Sequence, residues 1–600
     1  MQSFSRDPET ILAEVFGHAA FRVQQGEVVR HVADGGDAVV LFPTGAGKSL
    51  CYQVPALCRP GVAIVISPLI ALMRDQVEAL RQAGVAAAML NSALTSEEAR
   101  QVREGLREDR LKLLYVAPER LVTAGFQQML QEAHISLFAI DEAHCVSQWG
   151  HDFRPEYREL SGIAANFPGV PRLALTATAD AATRADIIER LGLQGARVFA
   201  SSFDRPNISY TIVQRQKGRE QLLDFLAARK GESGIVYCLS RRKVEETAAW
   251  LGAQGVRALP YHAGMEVAER SRNQDVFLKE DGVVMTATIA FGMGIDKPDV
   301  RFVAHLDMPG SVEAYYQETG RAGRDGDPAA AWMCYAMSDV VLRRRMIDEG
   351  AAPDEVKQIE RTKLNALLNI CETTLCRRQA ILAWFGEEHP GNCGNCDNCL
   401  NPAETWDATD AVIKAMSAIY RTGERFGVMH VVDVLTGKAT EKVARLGHDK
   451  LQVFGKGADI DAKTWQSVLR QISASGLVAV GAEHGGLSLT EEARPVLRGE
   501  RKVMLRRDVT KKQARRERNA AATAEMGEGG AELFVLLRKA RAEIAKEQGV
   551  PAYVIFHDST LRAMAQARPV TSDALARLSG VGKAKLDRYG AAFLKVIAGG

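Results

Sequence analysis

Leu137-Phe138-Ala139-Ile140-Asp141-Glu142-Ala143-His144 decides how this chain is read, together with its continuation Cys145-Val146-Ser147-Gln148-Trp149-Gly150-His151-Asp152-Phe153-Arg154. An apolar run that stops at two acids describes a buried parallel strand. It delivers Asp141 and Glu142 to the carboxyl edge of its sheet, where open α/β sheets bind ligands. Two acids after a strand are also an ordinary surface turn, and the stretch upstream separates the two readings. Phe42-Pro43-Thr44-Gly45-Ala46-Gly47-Lys48-Ser49 follows the apolar run 38–41 and precedes a helical pattern. Glycines here let backbone N–H groups curl round phosphate, Lys48 reaches the terminal phosphates, and the Ser49 hydroxyl suits Mg²⁺. Phe42 stands where this pattern usually opens with Gly, so Thr44, Gly45, Ala46, Gly47, Lys48 and Ser49 carry the reading. The alternative, a glycine turn with a solvated lysine, needs the Lys-Ser pair and the acidic strand to coincide by chance. With Mg²⁺ bridging the phosphates of ATP, Asp141 becomes the metal-side acid and Glu142 the base that orients water. The chain reads as an ATPase.

Asp141-Glu142-Ala143-His144, followed by Cys-Val-Ser-Gln-Trp-Gly-His-Asp-Phe-Arg-Pro-Glu-Tyr at 145–157, resembles the RecQ family of superfamily 2 DNA helicases. The resemblance extends over nearly the whole chain. It implies an α/β fold of two tandem RecA-like parallel-sheet domains, at residues 1–205 and 206–340, the first binding ATP. A helical zinc-binding subdomain (341–402), a winged-helix domain (403–505), a flexible basic linker (506–530) and a small all-α HRDC bundle (531–600) follow. The implied activity is ATP-dependent translocation 3′ to 5′ on single-stranded DNA, with unwinding of duplex or branched DNA in recombination, repair and an SOS-type damage response.

Composition bounds this picture without producing it. Of 600 residues, 46% are hydrophobic and 25% charged, an ordinary globular balance long enough for several domains. No apolar run approaches membrane-span length, and Met1-Gln2-Ser3-Phe4-Ser5-Arg6-Asp7 lacks a signal pattern, so a cytoplasmic, nucleoid-associated protein is expected. A net charge of +2 excludes a globally basic coat, and any DNA surface must be local. Half of the 10 cysteines lie between Cys371 and Cys399, a clustering that points to metal rather than to a disulfide framework.

Ahead of the glycine loop lies Phe16-Gly17-His18-Ala19-Ala20-Phe21-Arg22-Val23-Gln24-Gln25. The resemblance assigns this segment to adenine: Gln25 satisfies the base's hydrogen-bonding edge, His18 stacks where the family usually has Tyr, and Arg22 lies nearby. Val23-Gln24 replace the family's usual Pro-Gly, and the smaller His18 ring should weaken adenine discrimination. An amphipathic helix start is the alternative. Ile64-Val65-Ile66-Ser67-Pro68 and Leu114-Tyr115-Val116-Ala117-Pro118 read as further sheet strands, and by resemblance their ends hold a single strand's backbone. Trp149, His151, Phe153, Arg154 and Tyr157 form a loop of aromatics and cations suited to stacking on bases and pairing with phosphate, close enough to Glu142 for DNA to be felt at the Mg²⁺ site. Leu173-Ala174-Leu175-Thr176-Ala177-Thr178 reads as closing this sheet; the family uses such a Thr-Ala-Thr to link ATP turnover to strand movement.

After Asp204-Arg205-Pro206-Asn207, a boundary, the alternation restarts with Gly234-Ile235-Val236-Tyr237, and no second P-loop appears. Gln317-Glu318-Thr319-Gly320-Arg321-Ala322-Gly323-Arg324 can face the phosphates when the domains close, with guanidinium charge for the transferring phosphoryl group. By resemblance Arg324 is the finger, supported by Arg321 and Gln317.

Cys393, Cys396 and Cys399 sit at two-residue gaps with no cysteine after them, and the resemblance selects Cys376 over Cys371 as the fourth ligand. Four thiolates suit a closed structural Zn²⁺ site; an iron–sulfur cluster is the alternative, without the Cys-Pro ending of the ferredoxin run. Glu483-His484-Gly485-Gly486 reads as the tip of a winged-helix hairpin, where His484 is either a modest wedge or part of a plain turn. In the last segment, Gly580-Val581-Gly582-Lys583-Ala584-Lys585 places two lysines at a helix start, able to hold a DNA phosphate; an independent bundle with no binding role is the alternative. The resemblance further implies a monomer acting on single-stranded, forked or branched DNA, with a single-stranded DNA-binding protein and a type I topoisomerase as partners. Two rival functions stand beside it, an RNA helicase and an ATP-gated DNA-structure clamp.

Overall fold

The computed structural model describes residues 6–599 apart from 23, 69, 92–93, 122, 148–154, 180, 290, 292–296, 482–484 and 508–527. Trp149, Phe153, Arg154, His484 and most of the basic linker therefore lie outside the described residues.

Seven strands build the first sheet: β1 (Ala38–Leu41), β2 (Val62–Ile66), β3 (Ala87–Leu90), β4 (Leu113–Val116), β5 (Ile135–Ile140), β6 (Arg172–Thr176) and β7 (Arg197–Ala200). Their order is β3-β4-β2-β5-β6-β1-β7, with every pair parallel. Runs such as Val-Ala-Ile-Val-Ile and Ile-Ser-Leu-Phe-Ala-Ile are buried along their whole length, because helices cover both faces. Two apolar cores, one per face, follow from that alternation. Only β6 separates β1, which feeds the glycine loop, from β5, which feeds the acids. At sheet spacing the two loops start roughly 10 Å apart, a gap sized for a phosphate and its metal. β6 is thus an inner strand and does not close the sheet. β7 closes it, and its sequence gives little sign of a strand because only Phe199 is buried. Arg197 charges this edge, pairing with Glu27 and lying over the Phe199 ring, which discourages pairing with another chain.

The second sheet comprises β8 (Ile208–Gln214), β9 (Gly234–Tyr237), β10 (Ala258–Tyr261), β11 (Val284–Ala287), β12 (Phe302–His305) and β13 (Ala329–Tyr335). It is again all parallel, in the order β10-β11-β9-β12-β13-β8. The helix Val312–Thr319 follows β12, and the turn after it carries Arg321 and Arg324. Edge strand β8 is covered by the cysteine loop: Tyr210 N donates to Asn395 O (3.3 Å) and Ile212 N to the Asp397 carboxylate (3.0 Å). The zinc-binding subdomain, with helices Asp354–Glu372 and Arg377–Trp384, is thereby stitched to this sheet.

Beyond it, helices Thr409–Arg421, Val428–Thr436 and Ala462–Ala474 pack with the hairpin Val478–Val480/Leu487–Leu489 around one core, the winged-helix arrangement. A second antiparallel pair, Thr405–Asp407 with Met504–Arg506, ties the domain's two ends together. These three-residue strands, exposed at Thr405, Asp407 and Met504, carry no apolar period long enough to read. The terminal bundle runs through helices Glu528–Gln548, Asp558–Ala567, Ser572–Ala576 and Lys583–Gly599 with its own core. Strand and helix thus take up residue 506 and residues 528–530 from what reads as linker. Among the described residues no helix is long and apolar enough to cross a membrane.

Candidate active site

Thr44-Gly45-Ala46-Gly47-Lys48-Ser49 turns between β1 and the helix Leu50–Cys58, with Gly45 at φ +84° and Gly47 at φ +74°, a region that side-chain-bearing residues avoid. A Cβ on Gly47 would lie 2.5 Å from the Gln25 amide nitrogen. Lys48 Nζ donates to the carbonyls of Phe42 (3.1 Å) and Pro43 (3.3 Å), holding its ammonium over the loop. Phe42, which stands in place of the usual glycine, is a fully buried core residue of the sheet.

Asp141 and Glu142 leave the end of β5. Glu142 sits in the left-handed region (φ 48°, ψ 45°), which costs about 1–2 kcal/mol for a residue with a side chain. Its N–H donates to Asp141 Oδ1 (3.0 Å), and the short turn Ala143–Val146 fixes the geometry from the other side. Among the described residues Glu142 Oε2 is buried and accepts no hydrogen bond. His144, fully buried, lies 3.4 Å from that oxygen through Nδ1 and 2.9 Å from Thr176 Oγ1. The hydroxyl at the end of β6 is thus joined to the acid at the end of β5. Tyr157, grouped in the sequence with the stacking loop, is instead a core residue whose hydroxyl donates to the Asp141 carbonyl (2.9 Å). The reason is register: it lies on a short helix, Pro155–Gly162, and packs into the first domain's core.

A cavity of about 290 Å³ opens between the two domains. Thr44, Gly45, Gly47, Lys48, Ser49, Asp141 and Glu142 line it from the first, and Gln317, Arg321 and Arg324 from the second. Loop and arginine segment nearly touch, since a Cβ on Gly45 would lie 3.3 Å from Arg324 Cα. The glycine loop, two acids and two guanidiniums therefore face one space. Ser49 and Asp141 offer hard oxygens of the kind that hold Mg²⁺ alongside phosphate.

Gln25 is turned toward the loop. Its amide donates to the carbonyls of Ala46 (2.7 Å) and Gly47 (3.2 Å), and its oxygen accepts from Arg22 N (2.8 Å). The predicted adenine contact thereby also braces the phosphate loop. His18 is half-buried, and burial, then the charges of Arg22 and Lys585, push its pKa down. Lys585 belongs to the terminal bundle, whose place against the first domain no local sequence signal indicates. Gly580 N donates to Gly17 O (2.7 Å), and a Cβ on Gly17 would lie 2.4 Å from Gly582 N. Docked this way, Tyr553, Val554, His557 and Lys585 line the same cavity as Lys48. Burial lowers Lys585 to about 8, and burial, with the charges of Lys585, Arg541 and His18, takes His557 to about 3. Of these four side chains only Lys585 carries charge near neutral pH, since His557 is held neutral. Lys583 stays exposed at the start of its helix.

Cys376, Cys393, Cys396 and Cys399 bring four sulfurs within 4.8 Å of one another, with Cys393 and Cys399 3.9 Å apart and Cys376 and Cys396 4.0 Å apart. Tetrahedral Zn–S bonds of about 2.3 Å demand sulfur separations of roughly 3.8 Å, so the cluster fits zinc with little adjustment. Cys371, the rejected candidate, is buried in the core of this subdomain and outside the cluster.

Residues 22–187 match the DEAD/DEAH box helicase family and residues 217–326 the helicase conserved C-terminal domain. Residues 337–400 match the RecQ zinc-binding family, 402–514 the RQC domain and 531–597 the HRDC domain. Three relatives are each described as ATP-dependent DNA helicase RecQ. The chain is 45% identical to that of Pasteurella multocida over 98% of this chain and 93% of the relative. Identity to the Haemophilus influenzae protein is 45% over 98% of this chain and 95% of the relative. To the Bacillus subtilis protein it is 37%, over 98% of both.

Proposed function

The chain belongs to the RecQ family of ATP-dependent DNA helicases, and from that premise we propose that it steps 3′ to 5′ along single-stranded DNA and splits duplex and branched DNA. The supporting observation is the shared cavity, lined by Lys48 and Glu142 from one domain and by Arg321 and Arg324 from the other. Its cofactors are ATP, Mg²⁺ and Zn²⁺. Ser49 and Asp141 would hold Mg²⁺, which would supply charge neutralisation to the phosphates. Lys48 and the loop backbone hold the phosphates, Glu142 orients the attacking water, and Arg324, supported by Arg321, meets the charge that spreads over the phosphoryl group in the transition state.

Hydrolysis removes the link that holds the cavity shut, and the domains part. His144 and Thr176 transmit the change from the acids to the neighbouring strand end. Trp149, Phe153 and Arg154, starting a few residues beyond Glu142, grip the single strand, so that DNA occupancy tunes turnover. His484 meets the duplex, and exposed Lys583 offers a phosphate contact on the bundle. Lys585, lying at the cavity, serves the nucleotide side of that bundle rather than an open DNA face. Such a motor serves recombination, repair and an SOS-type response at the nucleoid, as a monomer working with a single-stranded DNA-binding protein and a type I topoisomerase.

Unwinding of matched forks tests this reading. A 3′-tailed DNA duplex should open with ATP and Mg²⁺, a 5′-tailed one should not, and Lys48→Ala should abolish opening. Equal opening of both tails would remove the polarity. Equal opening of an RNA fork would return the RNA helicase reading.

A further inference from the structure

Connectors between rigid bodies usually run over the surface, where water satisfies their polar groups. The connector Phe203-Asp204-Arg205-Pro206-Asn207, between β7 and β8, does not. Arg205 is only 7% exposed. Its Nη1 donates to Thr44 O in the phosphate loop (2.5 Å) and to Gly320 O (3.1 Å); its Nη2 donates to Ala322 O (3.0 Å) and Gly323 O (2.9 Å). One guanidinium thus spans both walls of the nucleotide cavity through four backbone carbonyls. Three of those carbonyls belong to residues flanking Arg321 and Arg324.

The rest of the connector is anchored on the second domain's side. Asp204 pairs with Arg378 of the zinc-binding subdomain, Tyr316 OH donates to Phe203 O (2.8 Å), and Asn207 Nδ2 donates to Gly323 O and Asp327 O (both 2.8 Å). Three of the four Arg205 bonds thus lie on the arginine segment's side, and the bond to Thr44 O is the one that crosses to the phosphate loop. Its planar fork of fixed donors suits this task; a lysine ammonium is a single point and cannot reach four carbonyls on two walls.

We propose that Arg205 is a positioning residue of the ATPase, a latch that sets the distance from the phosphate loop to the arginine segment so that Arg324 reaches the transferring phosphoryl group. The proposal rests on the reading of Arg324 as the transition-state cation. A displacement of about 1 Å in such a group costs roughly 10²-fold in rate. In that case the loss falls on kcat and spares ground-state nucleotide binding.

The test uses the full chain with Zn²⁺ bound. DNA-stimulated kcat and KM for ATP, affinity for a fluorescent non-hydrolysed ATP analogue, and thermal midpoint are measured for Arg205→Ala, Arg205→Lys, Arg324→Ala and the double variant Arg205→Ala/Arg324→Ala. Arg205→Ala should lose roughly 10²-fold in kcat with analogue affinity within about threefold of wild type. Arg205→Lys, which keeps charge and length, should recover part of that rate and guards against a failure of Arg205→Ala to fold. The double variant should be no slower than Arg324→Ala alone, because Arg205 acts through Arg324. A near-normal kcat for Arg205→Ala, a rise in KM alone, or a double variant slowed by the product of the single losses would overturn the proposal and leave Arg324 untouched. A near-normal kcat for Arg324→Ala beside a slow Arg205→Ala would instead retire the reading of Arg324 and leave Arg205 positioning Arg321.

Discussion

The winged-helix domain and the terminal bundle are both appended to the helicase core, but they are held by different physics. The winged helix meets the second domain and the zinc-binding subdomain around a buried carboxylate. Glu372, 6% exposed, accepts from Tyr335 OH of β13 and Arg470 Nε of the winged helix and pairs with Arg506 at 3.0 Å. Arg344, itself buried, donates to Val480 O of the hairpin, while Met337 and Val341 pack on the domain's core. The terminal bundle meets both domains, and its ion pairs lie nearer to water. Arg538 (32% exposed) pairs with Asp281 at 2.7 Å and Arg562 (33% exposed) with Asp327; Tyr589 OH donates to Gln82 (3.1 Å), and a small apolar patch joins Leu278, Tyr553 and Val554. A carboxylate shared by buried groups fixes two bodies as one, whereas half-exposed pairs can be traded for water and salt. The winged helix should move with the second domain through each cycle, and the bundle should act as a strap that lets go.

Zinc removal is expected to have the largest effect on this contrast, because the cysteine loop stitches β8 to the subdomain beneath the winged helix. Structural zinc binding in small peptide sites is worth on the order of 10 kcal/mol. Chelation, or Cys396→Ala, should make residues 341–402 sensitive to protease and uncouple the winged helix. An unchanged digestion pattern would mean that the loop holds without metal.

Glu372→Ala comes next. It leaves Arg470 and Arg506 buried without their carboxylate, a loss of about 3–5 kcal/mol in denaturant unfolding. A loss under about 1 kcal/mol would show that the junction is not the rigid joint described. Arg538→Ala, which removes the partly exposed pair and leaves Asp281 to its buried neighbours Arg541 and Lys297, should do least to stability, under about 1 kcal/mol, as befits a pair screened by salt. Its readout is geometric: fluorescence transfer between labels on the core and the bundle should fall, and high salt should produce the same fall in the wild type. If Arg538→Ala destabilised the chain as much as Glu372→Ala, the two attachments would be of one kind. Removing residues 531–600 should accordingly spare unwinding and change which DNA structures are bound.

What the sequence revealed follows the same division. Asp141-Glu142 after an apolar run, Gly45 and Gly47 before Lys48, and the close spacing of Cys393, Cys396 and Cys399 are local signals, and each states its chemistry within a few residues. Both parallel sheets were legible for the same reason, since fully buried strands read as unbroken apolar runs. Edge strand β7 and the pair Thr405–Asp407/Met504–Arg506 were not, because partly exposed three- or four-residue strands have no period to detect. Least legible were contacts between residues far apart in the chain: Arg205 with Thr44 and Gly323, Glu372 with Arg470, and Gly17 with Gly580. An arginine in a connector, a glutamate ending a helix and a glycine in a turn are commonplace until the fold brings their partners to them. A Gly-x-Gly-Lys-x-Lys run likewise reads as a phosphate site whether the phosphate belongs to DNA or to a nucleotide, and only the docking of the bundle puts Lys585 at the cavity.

The measurement that bears most directly on the motor is steady-state ATP hydrolysis by Glu142→Gln, with and without single-stranded DNA, beside the affinities of the same variant for an ATP analogue and for DNA. The amide keeps the size of the side chain and its left-handed backbone but cannot serve as a base. Turnover should fall by roughly 10²–10⁴-fold in the presence of DNA while both ligands still bind. Near-normal hydrolysis would take Glu142 out of the chemistry and contradict the assembly of the site described here.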